Sequence, residues 1–150
     1  MKRKILLADD DAAVREMLGR VLEMEGYEVD LARTGREAMA KFLARPADLI
    51  LLDLNMPEGD GWEAHNLMNC AHPLVPVIVI TARSQQYHHA ADLGIDGLME
   101  KPLNLPLLLA TIRNFLSETE PDRVRRLTSS QFRTLLLNQN TEAHLGEIFR

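Results

Sequence analysis

The chain has 150 residues, 46% apolar and 26% charged, with a formal charge of −5. That is one ordinary globular domain with room for an appendage, and enough chain to bury a proper core. The negative balance gives no general electrostatic reason to bind DNA, RNA or an anionic membrane, and no apolar run reaches a transmembrane length. Cys70 is the single cysteine, which excludes an internal disulfide framework and a Cys-based zinc site and fits a reducing cytoplasm.

Ile5-Leu6-Leu7-Ala8 reads as a short buried strand that stops at Asp9-Asp10-Asp11. The run is too short for the apolar core of a signal peptide. Asp11 or a neighbour can cap the next helix, in which Val14, Met17, Leu18, Val21 and Leu22 recur at helical spacing and Gly26 is placed to end it. Residues 27–32 alternate and read as an edge strand. Thr34-Gly35 opens a second helix with Ala38, Met39 and Phe42 inward. Leu49-Ile50-Leu51-Leu52 is a continuous apolar run, the pattern of a strand buried on both faces, and Asp53 is its first polar group. A third helix runs from about Trp62 to Asn69. Val77-Ile78-Val79-Ile80 is a second apolar strand ending at Thr81. Ser84 to Leu93 reads as a fourth helix ended by Gly94, and residues 97–100 as a fifth strand ending at Lys101-Pro102. Leu105 to Leu116 closes the repeat, with Leu108, Leu109, Ile112 and Phe115 inward.

Five β-α repeats in about 117 residues predict a parallel sheet covered by helices on both faces. The division is a domain over residues 1–117 and an extension over 118–150, which is too short for its own core. Val124, Leu127, Phe132, Leu135 and Leu136 form a rough helical stripe in that extension, so it packs on the domain, pairs with another chain, or belongs to something longer. Arg123, Arg125 and Arg126 read as a solvated helix face. The extension stops in mid-pattern at Glu147-Ile148-Phe149-Arg150, which leaves open that the chain is a fragment.

The chemistry sits at strand ends. Asp9 and Asp10 follow the first strand, Asp53 the third, Thr81 the fourth and Lys101 the fifth. In an open parallel sheet those ends share one edge, where ligands bind. Three carboxylates there repel one another unless a cation joins them, and oxygen ligands suit Mg²⁺, which takes further ligands from a phosphate. Lysine and threonine supply a charge and a hydrogen-bond donor for phosphoryl oxygens, and Asp53 is placed as the nucleophile of a phosphoryl transfer. No Gly-rich phosphate loop of the dinucleotide or P-loop type is present. His88-His89 point about 100° apart on a helix and chelate poorly.

The stretches Lys4 to Asp11, Asp53-Leu54-Asn55-Met56-Pro57 with Asp60-Gly61, Thr81-Ala82 and Lys101-Pro102 resemble the receiver domain of bacterial two-component response regulators over residues 3–117. The resemblance implies a flavodoxin-like (βα)5 fold with a five-stranded sheet of order 2-1-3-4-5. It implies Asp53 as phosphoacceptor and Mg²⁺ held by Asp9, Asp10, Asp53 and the backbone carbonyl of Asn55, with Asp10 the more direct ligand. Lys101 and Thr81 would contact the phosphoryl group. A sensor histidine kinase or a histidine phosphotransfer protein would donate it, and the output face would be the fourth helix, fifth strand and fifth helix. That face or the extension could also form a homodimer. The chain would be a phosphorelay switch in the cytoplasm, catalysing its own phosphorylation and dephosphorylation but no turnover reaction, with no membrane partner and no direct nucleic-acid contact. Leu98 stands where the family commonly has an aromatic relay residue, and Arg83 flanks the pocket, where it would affect water access. The alternatives are the receiver part of a longer DNA-binding transcriptional regulator and an aspartate-nucleophile phosphatase. Asn55 argues against the phosphatase, which needs a second Asp at that position.

Overall fold

The computed structural model describes residues 2–54, 56, 61–82, 93–130, 132 and 134–137. The elements are β1 (Lys4–Ala8), α1 (Ala12–Met24), β2 (Glu28–Ala32), α2 (Gly35–Ala44), β3 (Leu49–Asp53), α3 (Gly61–Ala71), β4 (Val77–Thr81), β5 (Gly97–Glu100), α4 (Leu105–Ser117), α5 (Glu120–Thr128) and β6 (Leu135–Leu137). The strand order is β2-β1-β3-β4-β5-β6, a parallel flavodoxin-like arrangement with one strand more than the sequence predicts. The predicted fourth helix, Ser84 to Leu93, lies outside the described residues except for Leu93, which is in a turn.

The chain divides into two compact units, Met1–Val77 and Ile78–Arg150. In the first, β1 lies between β2 and β3, in register Leu6↔Asp30 and Leu6↔Ile50. β1 and β3 are buried along their whole length, which is why they are apolar without alternation. Leu18, Leu22, Phe42, Ala64 and Met68 supply further core side chains from the helices. Each large one contributes on the order of 1.5–3 kcal/mol by leaving water. Of the α1 residues at helical spacing, Leu18 and Leu22 are buried, Val14 and Val21 half-buried, and Met17 is exposed. Asp11 caps α1 by accepting from the amides of Ala13 (2.9 Å) and Val14 (3.3 Å). Gly26 follows the cap with φ +94°, a left-handed conformation that glycine adopts without Cβ strain.

In the second unit, Ile78, Val79 and Ile80 of β4, Leu98 and Met99 of β5, and Leu107, Leu108, Ile112 and Phe115 of α4 are buried. Asn104 caps α4 through the amide of Leu107, 3.2 Å away. The extension departs from its predicted form. The helical stripe ends at Thr128, and Leu135–Leu137 is a strand that pairs in parallel with β5. Three consecutive leucines carry no helical period, so the available sheet edge decides their conformation. The predicted solvated arginine face is also corrected. Arg125 is exposed, but Arg123 is buried and Arg126 half-buried, because both turn onto the carboxylates of Asp96 and Glu118.

Candidate functional site

Parallel pairing sets the site. Ala8 stands opposite Leu52 in the β1–β3 register, so the next step places Asp9 and Asp53 at adjacent strand ends. Both carboxylates are buried. Asp10 is exposed at the mouth. One carboxylate oxygen from each of Asp9, Asp10 and Asp53 falls within 4.8 Å of the others.

The three consecutive aspartates divide their work. Asp11 is spent on capping α1. Asp9 is fixed twice: its Oδ1 accepts the Asp11 amide at 2.9 Å, and its carbonyl accepts Nη1 of Arg15 at 2.8 Å. Its own amide donates to the carbonyl of Ala32 at 3.0 Å, which ties the β1 end to β2. Past Asp53, α3 begins tight against the strand end. A Cβ on Gly61 would lie 3.0 Å from the Asp53 carbonyl oxygen and 3.0 Å from the Leu54 Cα, so only glycine fits without moving backbone.

In the second unit Thr81 ends β4 fully buried, and the Lys101 amide donates to the Thr81 carbonyl at 2.8 Å. The register Thr81↔Glu100 places the lysine one step beyond that pair. The structure thus brings Asp9, Asp10 and Asp53 together in one unit, and sets Thr81 beside Lys101 in the other. Asn55 and Arg83 lie outside the described residues. Leu98 is buried in register between Val79 and Leu136.

A triad of carboxylates this close carries strong mutual repulsion, which a divalent cation relieves. Its all-oxygen donor set fits a hard ion such as Mg²⁺ or Ca²⁺ rather than a thiolate-seeking metal. Sequence reasoning missed two features. Gly61 matters by what it lacks, and the Asp96–Arg123–Arg126 cluster joins residues far apart in the chain. The one signal for the cluster was an aspartate at the start of an apolar strand, where burial demands a partner.

The model of the response regulator receiver domain matches residues 5–113. Response regulator MprA of Mycolicibacterium vanbaalenii is 40% identical over 124 residues, 81% of this chain and 54% of the relative. MprA of Mycobacterium bovis is 36% identical over 150 residues, 98% of this chain and 65% of the relative. The chain therefore spans between about half and two thirds of the length of these curated relatives. Among solved structures, a CheY-like response regulator receiver domain protein from Methanospirillum hungatei is similar with a TM-score of 0.76 and 31% identity. It covers 81% of this chain and 98% of that one. TrrA from Thermotoga maritima, solved with Mg²⁺ and BeF, is similar with a TM-score of 0.70 and 31% identity over 75% of this chain and 98% of that one.

Proposed function

Because the chain belongs to the response regulator receiver domain family, we propose that it is a phosphoacceptor switch in which Asp53 takes a phosphoryl group from a phosphohistidine. The observation that carries this reading is the convergence of Asp9, Asp10 and Asp53 at two paired strand ends. An Asp53 carboxylate oxygen attacks phosphorus, the P–N bond of the donor breaks, and the imidazole leaves with the electron pair and takes up a proton from water. The donor is a sensor histidine kinase or a histidine phosphotransfer protein. Asp9 and Asp10, with Asp53 and the Asn55 carbonyl, would hold Mg²⁺. Bound there, the ion offsets the carboxylate charge and that of the incoming phosphoryl oxygens. Lys101 contributes a compact positive charge for another oxygen and Thr81 a hydroxyl donor. The Asp9 carboxylate, pinned by the Asp11 amide, keeps the acidic cluster in place between rounds of transfer.

The greater length of the relatives supports a second component. The receiver regulates an output carried elsewhere, either on a longer transcriptional regulator or on a separate protein that it contacts. No helix of the described residues is long and apolar enough to cross a membrane, and we place the protein in the cytoplasm. Incubation with acetyl phosphate and Mg²⁺ tests the chemistry. One phosphoryl group is expected on the wild type and none on Asp53→Asn. Equal labelling of the variant would remove Asp53 as the acceptor.

A further inference from the structure

The exposed member of the acidic triad is held through its backbone. Asp10 is exposed, and among the described residues no hydrogen bond or ion pair holds its carboxylate. Its Cα is the shared corner of two peptide planes, and both planes are pinned. The carbonyl of Asp9, in the plane before it, accepts Nη1 of Arg15 at 2.8 Å. The amide of Asp11, in the plane after it, donates to Asp9 Oδ1 at 2.9 Å. A peptide unit is planar, so holding its carbonyl oxygen or its amide also fixes where the attached Cα lies. Arg15 comes from the start of α1, and helical side chains tilt toward the helix N-terminus. It therefore reaches back six positions to the end of β1. Its own amide donates to the Asp11 carbonyl at 2.9 Å, which ties the base of the side chain to the same turn. All of these residues belong to the first compact unit.

We infer that Arg15 is a positioning residue for the cation site: it sets the Asp9–Asp10 peptide, and through that peptide the direction of the Asp10 carboxylate. This rests on the reading of Asp9, Asp10 and Asp53 as the Mg²⁺ and phosphoryl site given above. The half-buried guanidinium spends its bond on a neutral carbonyl, and among the described residues it forms no ion pair. It therefore orders the turn without occupying a carboxylate oxygen that a cation needs. Placement and charge act in opposite directions here. A positive charge beside a cation site weakens binding by repulsion, and that repulsion is small where water fills the space between the charges. A group that orients a metal ligand strengthens binding, and losing such a partner typically costs about 10–100-fold in metal affinity. Asp10 stands at the wet mouth of the site and depends on its backbone for direction, so orientation outweighs repulsion. Deleting the Arg15 side chain removes both effects at once, and the sign of the change in affinity shows which one dominates.

The test titrates magnesium chloride alone into the ¹⁵N-labelled full chain and follows the backbone amides of Asp10 and Asp11. This gives the dissociation constant with no phosphoryl donor present, and the same spectra show whether each variant is folded. Arg15→Met removes the donor and the charge together and is expected to weaken Mg²⁺ binding about tenfold. Arg20→Met removes the same charge from an exposed position of α1 and should stay within about twofold of the wild type. Arg15→Gln keeps a polar side chain that ends short of the Nη1 position; it should weaken binding as Arg15→Met does, and it carries the test if the methionine variant does not fold. With acetyl phosphate, the Mg²⁺ concentration giving half-maximal labelling of Asp53 should rise by the same factor, while the maximal rate falls by less. Unchanged or tighter Mg²⁺ binding in the folded Arg15 variants, or equal weakening in Arg20→Met, overturns the positioning role and leaves the phosphoacceptor reading standing. A wild type that binds no Mg²⁺ overturns the metal site itself and this inference with it.

Discussion

At the scale of single residues, the chain uses carboxylates in two opposite ways. Asp9, Asp10 and Asp53 are gathered with like charge and so are poised for a cation. Asp96 is buried against two arginines and is neutralised within the fold. Burial alone would lower the Arg126 pKa, but the hydrogen bonds and charges of Glu118 and Asp96 outweigh it and raise the value, so the guanidinium stays charged. Removing one member of such a cluster leaves buried charge without compensation. Asp96→Ala should therefore cost about 3–5 kcal/mol in urea unfolding, whereas Arg125→Ala, on the exposed side of the same helix, should stay within about 0.5 kcal/mol. Equal small effects would mean that the cluster does not organise the extension. Gly61→Ala must push backbone away from Asp53, with an expected loss of about 1–3 kcal/mol and slower phosphorylation by acetyl phosphate. An unchanged rate would show that α3 can shift without disturbing Asp53. The acidic triad was legible in the sequence because Asp9 and Asp53 each directly follow an apolar run and Asp10 is the next residue after Asp9. The Asp96 cluster was not, because nothing in the pattern links residues 27 and 30 positions apart.

At the scale of elements, strands and caps announced themselves and the extension did not. The apolar runs of β1, β3 and β4 admit no amphipathic face, and Asp11 and Thr34 each supply the side-chain acceptor that starts a helix; the Asn104 cap of α4 emerged only with the structure. The leucines of β6 have no such signature, since their conformation is imposed by the edge of β5. On α2, Glu37 lies 3.2 Å from Lys41 Nζ and 3.5 Å from Arg33 Nε. Its burial raises the carboxyl pKa, but the hydrogen bond and charge of Lys41 and the backbone and side-chain hydrogen bonds from Arg33 outweigh this and leave it lowered. A lowered carboxyl contributes stability above the ordinary carboxylate range and loses it as pH falls through the lowered value. Because the pairs are solvent-screened, the contribution should be about 0.3–0.5 kcal/mol each. The unfolding free energies of wild type and Glu37→Gln should differ by that amount at neutral pH and converge in acid. A gap that persists in acid would exclude the ion pairs as its cause.

For the whole molecule, the strand order and the repeat were readable because alternating β and α segments admit few topologies. The sixth strand was not, since it depends on the extension finding β5. The net charge of −5 is compatible with a site that takes a cation before it takes a phosphoryl group. A cation bound only by the folded chain stabilises it by mass action, about 2.7 kcal/mol at a hundred times its dissociation constant. Magnesium should raise the unfolding temperature of the wild type and have much less effect on Asp10→Asn; an equal rise in both would place the ion elsewhere. The central claim, that Asp53 carries the phosphoryl group, is tested most directly by borohydride reduction of the acetyl phosphate-treated protein followed by peptide mapping. Reduction of an acyl phosphate turns the aspartate that held it into homoserine. The account predicts homoserine at position 53; homoserine at another aspartate, or at none in phosphorylated protein, would contradict it.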